Sequence, residues 1–294
     1  MTAAGTTVTW RALWLETAER LGGDAPAAAE ARWICEEVSG AAGIEWAACL
    51  DEPATTRAVA RLDALVARRQ HGEPLQYVLG SWAFRRIDLM VDRRVLIPRA
   101  ETEQLVDVAL ELAAGMPRPL LIADLGTGSG AIALALAYEL PLSGVEVWAT
   151  DVSLDALDVA RANLSGLGRA GANVRLAHGD WFDALDETVR GRFDLVVSNP
   201  PYIADGDPEV EEPVRAWEPA RALFAGPDGL DAVRRIVGDA GSWLRSGGWL
   251  VLEIGARHGR VAADLAAAAG LTDVTVRPDL AGHDRVLIAR RPSK

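Results

Sequence analysis

Cysteine is scarce in this chain of 294 residues: Cys35 and Cys49 are the only two. Both lie in apolar surroundings without the spacing of metal ligands, which speaks against a disulfide framework and for a reduced, cytoplasmic protein with two small buried thiols. The four histidines, His71, His178, His258 and His283, are scattered, so no zinc constellation forms and no metal is expected. Long apolar runs are missing too, and the N-terminus has no basic stretch leading into an apolar core, so neither a membrane span nor an export signal is expected. Positive charge is in deficit: 30 Lys and Arg against 42 Asp and Glu leave a net charge of −12, which argues against stable binding to nucleic-acid backbone. A local basic groove remains compatible with that total. No internal repeat is present, and low complexity is confined to Ala266–Ala269. What is present in quantity is apolar residues, half of the chain, enough for a sizeable core in one large and one small domain.

From Trp10 to Gln70 the larger apolar residues recur at helical spacing: Leu13, Ala18 and Leu21, then Ala29, Trp33 and Ile34 after Pro26, then Val59, Leu62, Leu65 and Val66. This segment holds no catalytic signature and serves either partner binding or stability. Tyr77–Phe84 and Ile87–Val91 alternate as β-formers around a short polar break and predict a hairpin. Beyond Pro98, Glu101, Thr102 and Glu103 open a helix with Leu105, Val106, Val108 and Leu110, the acidic first turn suiting the helix dipole. Domain bounds are therefore expected at 1–74 for a helical domain, 75–98 for a hairpin linker and 99–294 for the main domain. In the last, strands and helices alternate, which predicts a parallel sheet covered by helices on both faces. Seven strands are expected, at Leu120–Ala123, Val145–Ala149, Val174–Leu176, Phe193–Val197, Trp249–Glu253, Asp273–Val276 and Arg285–Ala289.

The chemistry-bearing residues fall at the ends of these strands. After the first come Asp124, Leu125, Gly126, Thr127, Gly128, Ser129 and Gly130, then a helix. Glycines there let backbone pass close beneath a ligand while the helix start aims N–H groups at it; a structural tight turn is the alternative. The spacing differs from the dinucleotide fingerprint. Asp151, ending the second strand, is placed to accept ribose hydroxyls, or else caps the next helix as Ser153 could. Asp180 and Trp181 follow the third strand, suited to border a purine ring unless the tryptophan is core. The fourth strand, Phe193–Val197, stops at Ser198-Asn199-Pro200-Pro201-Tyr202. Two prolines fix φ and remove two backbone donors, so the carbonyls of Asn199 and Pro200 are kept from a following helix. With the Asn199 side-chain oxygen and the Tyr202 ring they suit a planar group carrying two N–H donors, an amide or an exocyclic amine. A merely stiff turn is the plainer reading of Asn-Pro-Pro alone.

Taken together, Asp124–Gly130, Asp151, Asp180-Trp181 and Asn199-Pro200-Pro201-Tyr202 resemble the class I S-adenosylmethionine-dependent methyltransferases, whose Rossmann-like seven-stranded domain fits the alternation above. Asn-Pro-Pro-Tyr is shared there by DNA amino-methyltransferases and protein glutamine methyltransferases. Gly72–Tyr77, Val95–Arg99, Glu101–Glu103, Trp217–Pro219, Gly226–Leu230 and Gly282–Val286 narrow the resemblance to the glutamine methyltransferases of peptide-chain release factors. The related ribosomal-protein enzymes share the catalytic motif but usually lack Glu-Thr-Glu after Pro-Arg. One departure is Ala100, where the family generally has proline. The likeness runs from His71 to the end, and before that only helical character is shared.

The resemblance implies cofactor contacts from Gly126, Thr127, Gly128, Ser129, Gly130, Asp151, Asp180, Trp181 and Asn199. It implies substrate contacts from Asn199, Pro200, Pro201 and Tyr202, with Asn199, Pro200 and Tyr202 as the catalytic group and no metal. It also implies that the methyl goes to the glutamine of a Gly-Gly-Gln loop in a release factor, with the helix near Glu101 and Thr102 closing over the cofactor and the N-terminal segment recognising the partner. Another protein glutamine, in the ribosome or elsewhere, or an exocyclic base amine is the alternative target.

Overall fold

The computed structural model describes residues 7–293. The chain divides into two compact units, one running to Ser81 and the other from Trp82.

The smaller unit is helical, with α1 (Trp10–Leu21), α2 (Ala25–Ser39), α3 (Gly43–Cys49), α4 (Thr56–Gln70) and α5 (Leu75–Leu79). Thr9, Asp24 and Thr55 start α1, α2 and α4, each side chain accepting the backbone N–H three residues on. Each such cap satisfies an orphan donor and contributes about 1 kcal/mol. Ile34, Leu62 and Val66 fill the core beside an edge-on Trp10–Trp46 pair with ring centroids 6.1 Å apart. Cys35 is fully buried there, and desolvation pushes its thiol up to about 12. Cys49 departs from the expected burial: it is half-buried, because it ends the short α3 at the margin of the core and bonds back to the Trp46 carbonyl. The strand expected from Tyr77 is also corrected, since its first residues are α5. Tyr77 and Val78 donate to the Pro74 carbonyl, and the helical turn places Leu75 and Val78, three apart, in the same core.

The larger unit begins within β1 (Ser81–Phe84), whose hairpin partner is β2 (Ile87–Met90), and continues with α6 (Ala100–Ala114). Arg85, in the hairpin turn, bonds Asp107 on α6 at 2.7 Å and also reaches Glu139. Ala100 takes the first helical position of α6, where the missing N–H of a proline would cost nothing, and the helix starts there with alanine.

The main sheet comprises β3 (Leu120–Leu125), β4 (Val145–Asp151), β5 (Val174–His178), β6 (Phe193–Ser198), β7 (Leu244–Glu253), β8 (Thr272–Pro278) and β9 (Asp284–Arg290). Its helices are α7 (Ala131–Glu139), α8 (Leu154–Gly166), α9 (Glu212–Trp217), α10 (Ala220–Leu223), α11 (Asp231–Trp243) and α12 (Gly259–Ala268). Strand order is β5-β4-β3-β6-β7-β9-β8. All seven predicted strands occur, most of them a residue or two longer, and β7 begins five residues before Trp249. The sheet is not wholly parallel as expected: β9 runs antiparallel to both β7 and β8. Only a tight turn joins β8 to β9, with Asp279 accepting the N–H groups of Ala281 and His283, and a connection that short reverses the chain. All six residues of β6 are buried, because helices cover both faces of the sheet centre. The chain goes outward from β3 through β4 to β5, then returns to place β6 on the other side of β3. That reversal opens a crevice at the carboxyl ends of β3 and β6, where open α/β sheets bind ligands.

Candidate active site

At the end of β3 the strand turns through Gly126, Gly128 and Gly130, all with positive φ. Asp124 lies under this turn, fully buried, and its Oδ2 accepts from Thr127 Oγ1 at 2.6 Å and from the Ala133 N–H at 3.2 Å. Desolvation pushes its carboxyl up to about 7. Thr127 and Ser129 are buried, and the Ser129 carbonyl is held by Asn163. Gly130 caps α7 against Leu134. Gly126 and Gly128 instead line a cavity of about 490 Å³.

Asp151, ending β4, is on the same cavity. Its Oδ2 accepts from the Gly128 N–H at 2.9 Å and its Oδ1 from the Ser153 N–H at 2.8 Å, while Ser153 caps α8 itself. The carboxylate thus holds the glycine turn in place and keeps lone pairs for a ligand. Burial raises its pKa; the backbone donors at Ser153 and Gly128 and the charge of Arg221 oppose that rise. Asp180 lines the cavity as an exposed carboxylate beside half-buried Trp181. Trp181 has a left-handed φ of 49°, uncommon for an aromatic residue, and its ring packs so closely on Gly126 that a Cβ there would stand 3.1 Å away. One side of the indole joins the core and another the cavity wall, which unites the two readings left open by sequence.

The Asn-Pro-Pro-Tyr turn follows β6 without helix or strand. Asn199 and Pro201 are on the cavity; Pro200 is buried and Tyr202 half-buried behind them. Asn199 Nδ2 donates to Thr102 Oγ1 at 3.0 Å, Thr102 donates to Glu253 Oε2 at 2.7 Å, and the Tyr202 hydroxyl donates to Glu253 Oε1 at 3.2 Å. Burial and the neighbouring Glu253 charge raise the Tyr202 phenol well above its ordinary range. The backbone then leaves on an excursion that closes on itself: the Ile203 N–H bonds the Leu223 carbonyl at 3.0 Å and the Ala225 N–H bonds the Ile203 carbonyl at 2.9 Å.

Two segments overlooked as site residues complete the wall. Arg93–Leu96 and Pro219–Ala222 both line the cavity. Glu218, 5 % exposed, ties the approaches to both: its Oε2 accepts the Ile97 N–H at 3.1 Å and its Oε1 accepts from Arg99. Arg93 also stacks on the Trp217 ring, 5.2 Å from its centroid. Neither segment carries a periodicity that would mark it; the available signal was the family likeness of Val95–Arg99 and Trp217–Pro219, which overlap them. Thr102 and Glu253 had a fainter signal, since a carboxylate ending an apolar strand at the ligand edge of a sheet demands a partner.

A doubly wound sheet with a nucleoside-sized cavity at its switch point, an acidic residue ending the second strand and Asn-Pro-Pro-Tyr ending the fourth together define a Rossmann-like methyltransferase. Residues 106–216 match the Methyltransferase small domain family, and residues 13–80 match the PrmC N-terminal domain family. A release factor glutamine methyltransferase of Xylella fastidiosa (strain 9a5c) is 46% identical over 243 residues, 82% of this chain and 85% of that protein. One from Vibrio cholerae is 38% identical over 277 residues, 94% of this chain and 93% of its own length. The chain belongs to the release factor glutamine methyltransferase family. Among solved structures, a T. thermophilus 16S rRNA N2 G1207 methyltransferase in complex with AdoMet and guanosine superposes with a TM-score of 0.51 at 20% identity, covering 72% of this chain and 49% of that one, a likeness of fold.

Proposed function

We propose that this chain methylates the side-chain nitrogen of the glutamine in the Gly-Gly-Gln motif of peptide-chain release factors, using S-adenosylmethionine. The observation that supports it most is the Asn199 carboxamide, set on a donor-free Pro-Pro turn at the cavity wall with its Nδ2 already held by Thr102. Its Oδ1 is thereby left to accept. The cavity suits the cofactor: about 490 Å³, glycine backbone at Gly126 and Gly128, the Asp151 carboxylate and the Trp181 ring form its wall. Bound S-adenosylmethionine would supply an electrophilic sulfonium methyl.

A carboxamide nitrogen is a poor nucleophile because its lone pair is delocalised, so the site works by placement. Asn199 Oδ1 and the Pro200 carbonyl accept the two amide N–H bonds and hold the nitrogen at near-attack range, about 3–3.5 Å. The same acceptors stabilise positive charge growing on nitrogen. Tyr202, anchored through its hydroxyl to Glu253, packs against the flat amide and excludes water. The proton leaves after transfer, so no strong base is needed. The reading is tested by incubating the chain with labelled methyl donor and intact release factor, then locating the label by mass spectrometry. Label on the Gly-Gly-Gln glutamine is expected; label elsewhere, or none, overturns it.

Asp151→Ala is expected to weaken S-adenosylmethionine binding by about 1–3 kcal/mol, through lost charge-assisted bonds to the ribose and a loosened Gly128 N–H. Calorimetry showing unchanged affinity would remove Asp151 from the site.

One amide supplies little affinity, so we assign recognition of the rest of the release factor to the helical unit ending at Ser81. Because Leu75 and Val78 belong to the core of that unit, the informative cut lies between Ser81 and Trp82. A chain beginning at Trp82 is expected to bind S-adenosylmethionine normally and to methylate intact release factor poorly, with a free Gly-Gly-Gln peptide a weak substrate for both forms. Equal rates on intact release factor would end the recognition role.

A further inference from the structure

Glu253, the last residue of β7, has no solvent exposure. Each of its oxygens accepts a hydroxyl: Thr102 from α6 on Oε2 and Tyr202 from the turn after β6 on Oε1. An ionised carboxylate only accepts, so the single Thr102 hydrogen is committed to Glu253. Toward Asn199, 3.0 Å away, the Thr102 oxygen can then only accept. A carboxamide facing an acceptor-only oxygen must turn its NH₂ that way, since the opposite rotamer would set lone pairs against lone pairs. The proton direction imposed at Glu253 is therefore passed through Thr102 to Asn199.

We infer that Glu253 and Thr102 are positioning residues that decide which end of the Asn199 carboxamide meets the substrate. The inference rests on the reading of the site as an amide methyltransferase. Without the relay the Asn199 amide is free to rotate by half a turn, and one of its two orientations offers N–H to a substrate that itself presents N–H. Transfer then stops in that fraction of molecules, with the cofactor cavity unaltered.

The groups around Glu253 give the relay a pH dependence. Arg285 faces it from β9, Glu101 from α6 and Tyr202 from the catalytic turn. Burial is the strongest influence and raises the carboxyl above its usual range, with the Thr102 hydroxyl and the Arg285 charge opposing it. The ionised form sets the direction, so the relay operates above that raised pKa and is lost as pH falls through it. Protonated Glu253 donates to Thr102, which frees the Thr102 hydrogen for Asn199 Oδ1 and reverses the amide.

The experiment uses the full chain with Thr102→Val, Thr102→Ser and Glu253→Gln. Thr102→Val is expected to lower kcat by about twofold or more, by the fraction of molecules whose amide is reversed, with release-factor KM and S-adenosylmethionine affinity unchanged. Thr102→Ser, which keeps the hydroxyl, is expected to recover most of that loss. Glu253→Gln is expected to lower kcat and to abolish the acid limb of the pH–rate profile. Nitrogen-15 spectra of the Asn199 side-chain amide, without any cofactor, give a reading independent of catalysis: slow NH₂ exchange in the unaltered chain and faster exchange in Thr102→Val. Unchanged kcat in Thr102→Val, equal losses in the valine and serine variants, or identical amide exchange would each overturn the relay. If the unaltered chain methylates no glutamine, the proposed function fails, and the amide spectra still decide the relay.

Discussion

Asn199→Ala is expected to slow methyl transfer by about two to three orders of magnitude, the usual loss on deleting one preorganised contact to developing charge. Cofactor affinity is expected to change little, because the glycine turn, Asp151 and Trp181 do not depend on the Asn199 side chain. The asymmetry follows from when the contact matters. In the ground state an amide N–H bonded to Asn199 Oδ1 merely exchanges water for protein. As the nitrogen becomes cationic the same bond turns charge-assisted, and only that increment speeds the reaction. Asn199→Asp is not a mild alternative, since it removes the donor to Thr102 and sets a charged acceptor against a hydroxyl already committed to Glu253. Single-turnover rates beside calorimetric cofactor affinities separate the two effects. Near-normal turnover in the alanine variant would make Asn-Pro-Pro-Tyr a stiff turn and nothing more.

Gly128→Val is expected to weaken S-adenosylmethionine binding about hundredfold or more while the chain stays folded. A Cβ on Gly128 would meet no protein atom within 4 Å, yet the residue lines the cavity, so the added carbons take room that the ligand needs. Its φ of 57° adds strain for a β-branched residue, about 1–3 kcal/mol, carried in the turn whose N–H bonds Asp151. Gly130→Val provides the contrast. There a Cβ would approach Leu134 Cδ1 to 2.9 Å, so the damage is to packing of α7 and shows as lowered thermal stability. Tight cofactor binding by Gly128→Val would remove Gly128 from the cofactor site.

These two glycines also show what was legible in the sequence. Their spacing located the turn and its ligand edge, because period and punctuation are local properties. Spacing cannot tell that Gly126 and Gly128 face the cavity whereas Thr127, Ser129 and Gly130 face inward; that division depends on Asp124 gathering Thr127 from below. Strand positions were readable because β6 is buried on both faces and carries the unbroken apolar run Leu195–Val197. The direction of β9 was not, since strand pairing is set by the connection and not by the residues that pair. Missing α5 had a similar cause: Tyr77 and Val78 have β-forming side chains, and the core formed by α2 and α4 overrode that preference. The Thr102–Glu253 pair lies 151 positions apart and could not be joined by inspection of either neighbourhood.

The backbone closure at Ile203 has a consequence for how such a site changes over time. The chain leaves the catalytic turn and returns through Leu223–Ala225 to the residue where it left, so the strand end and the loop are mechanically separate. Lengthening a closed loop adds free energy only as the logarithm of its size. Residues between Ile203 and Arg215 can therefore change in length without shifting Asn199 from the end of β6, whereas Trp217–Ala222, which hold Arg93, Ile97 and Arg99 and line the cavity, are kept. The reacting turn and the outer part of the excursion thus occupy separable stretches of chain, and only the outer stretch is free to vary in length.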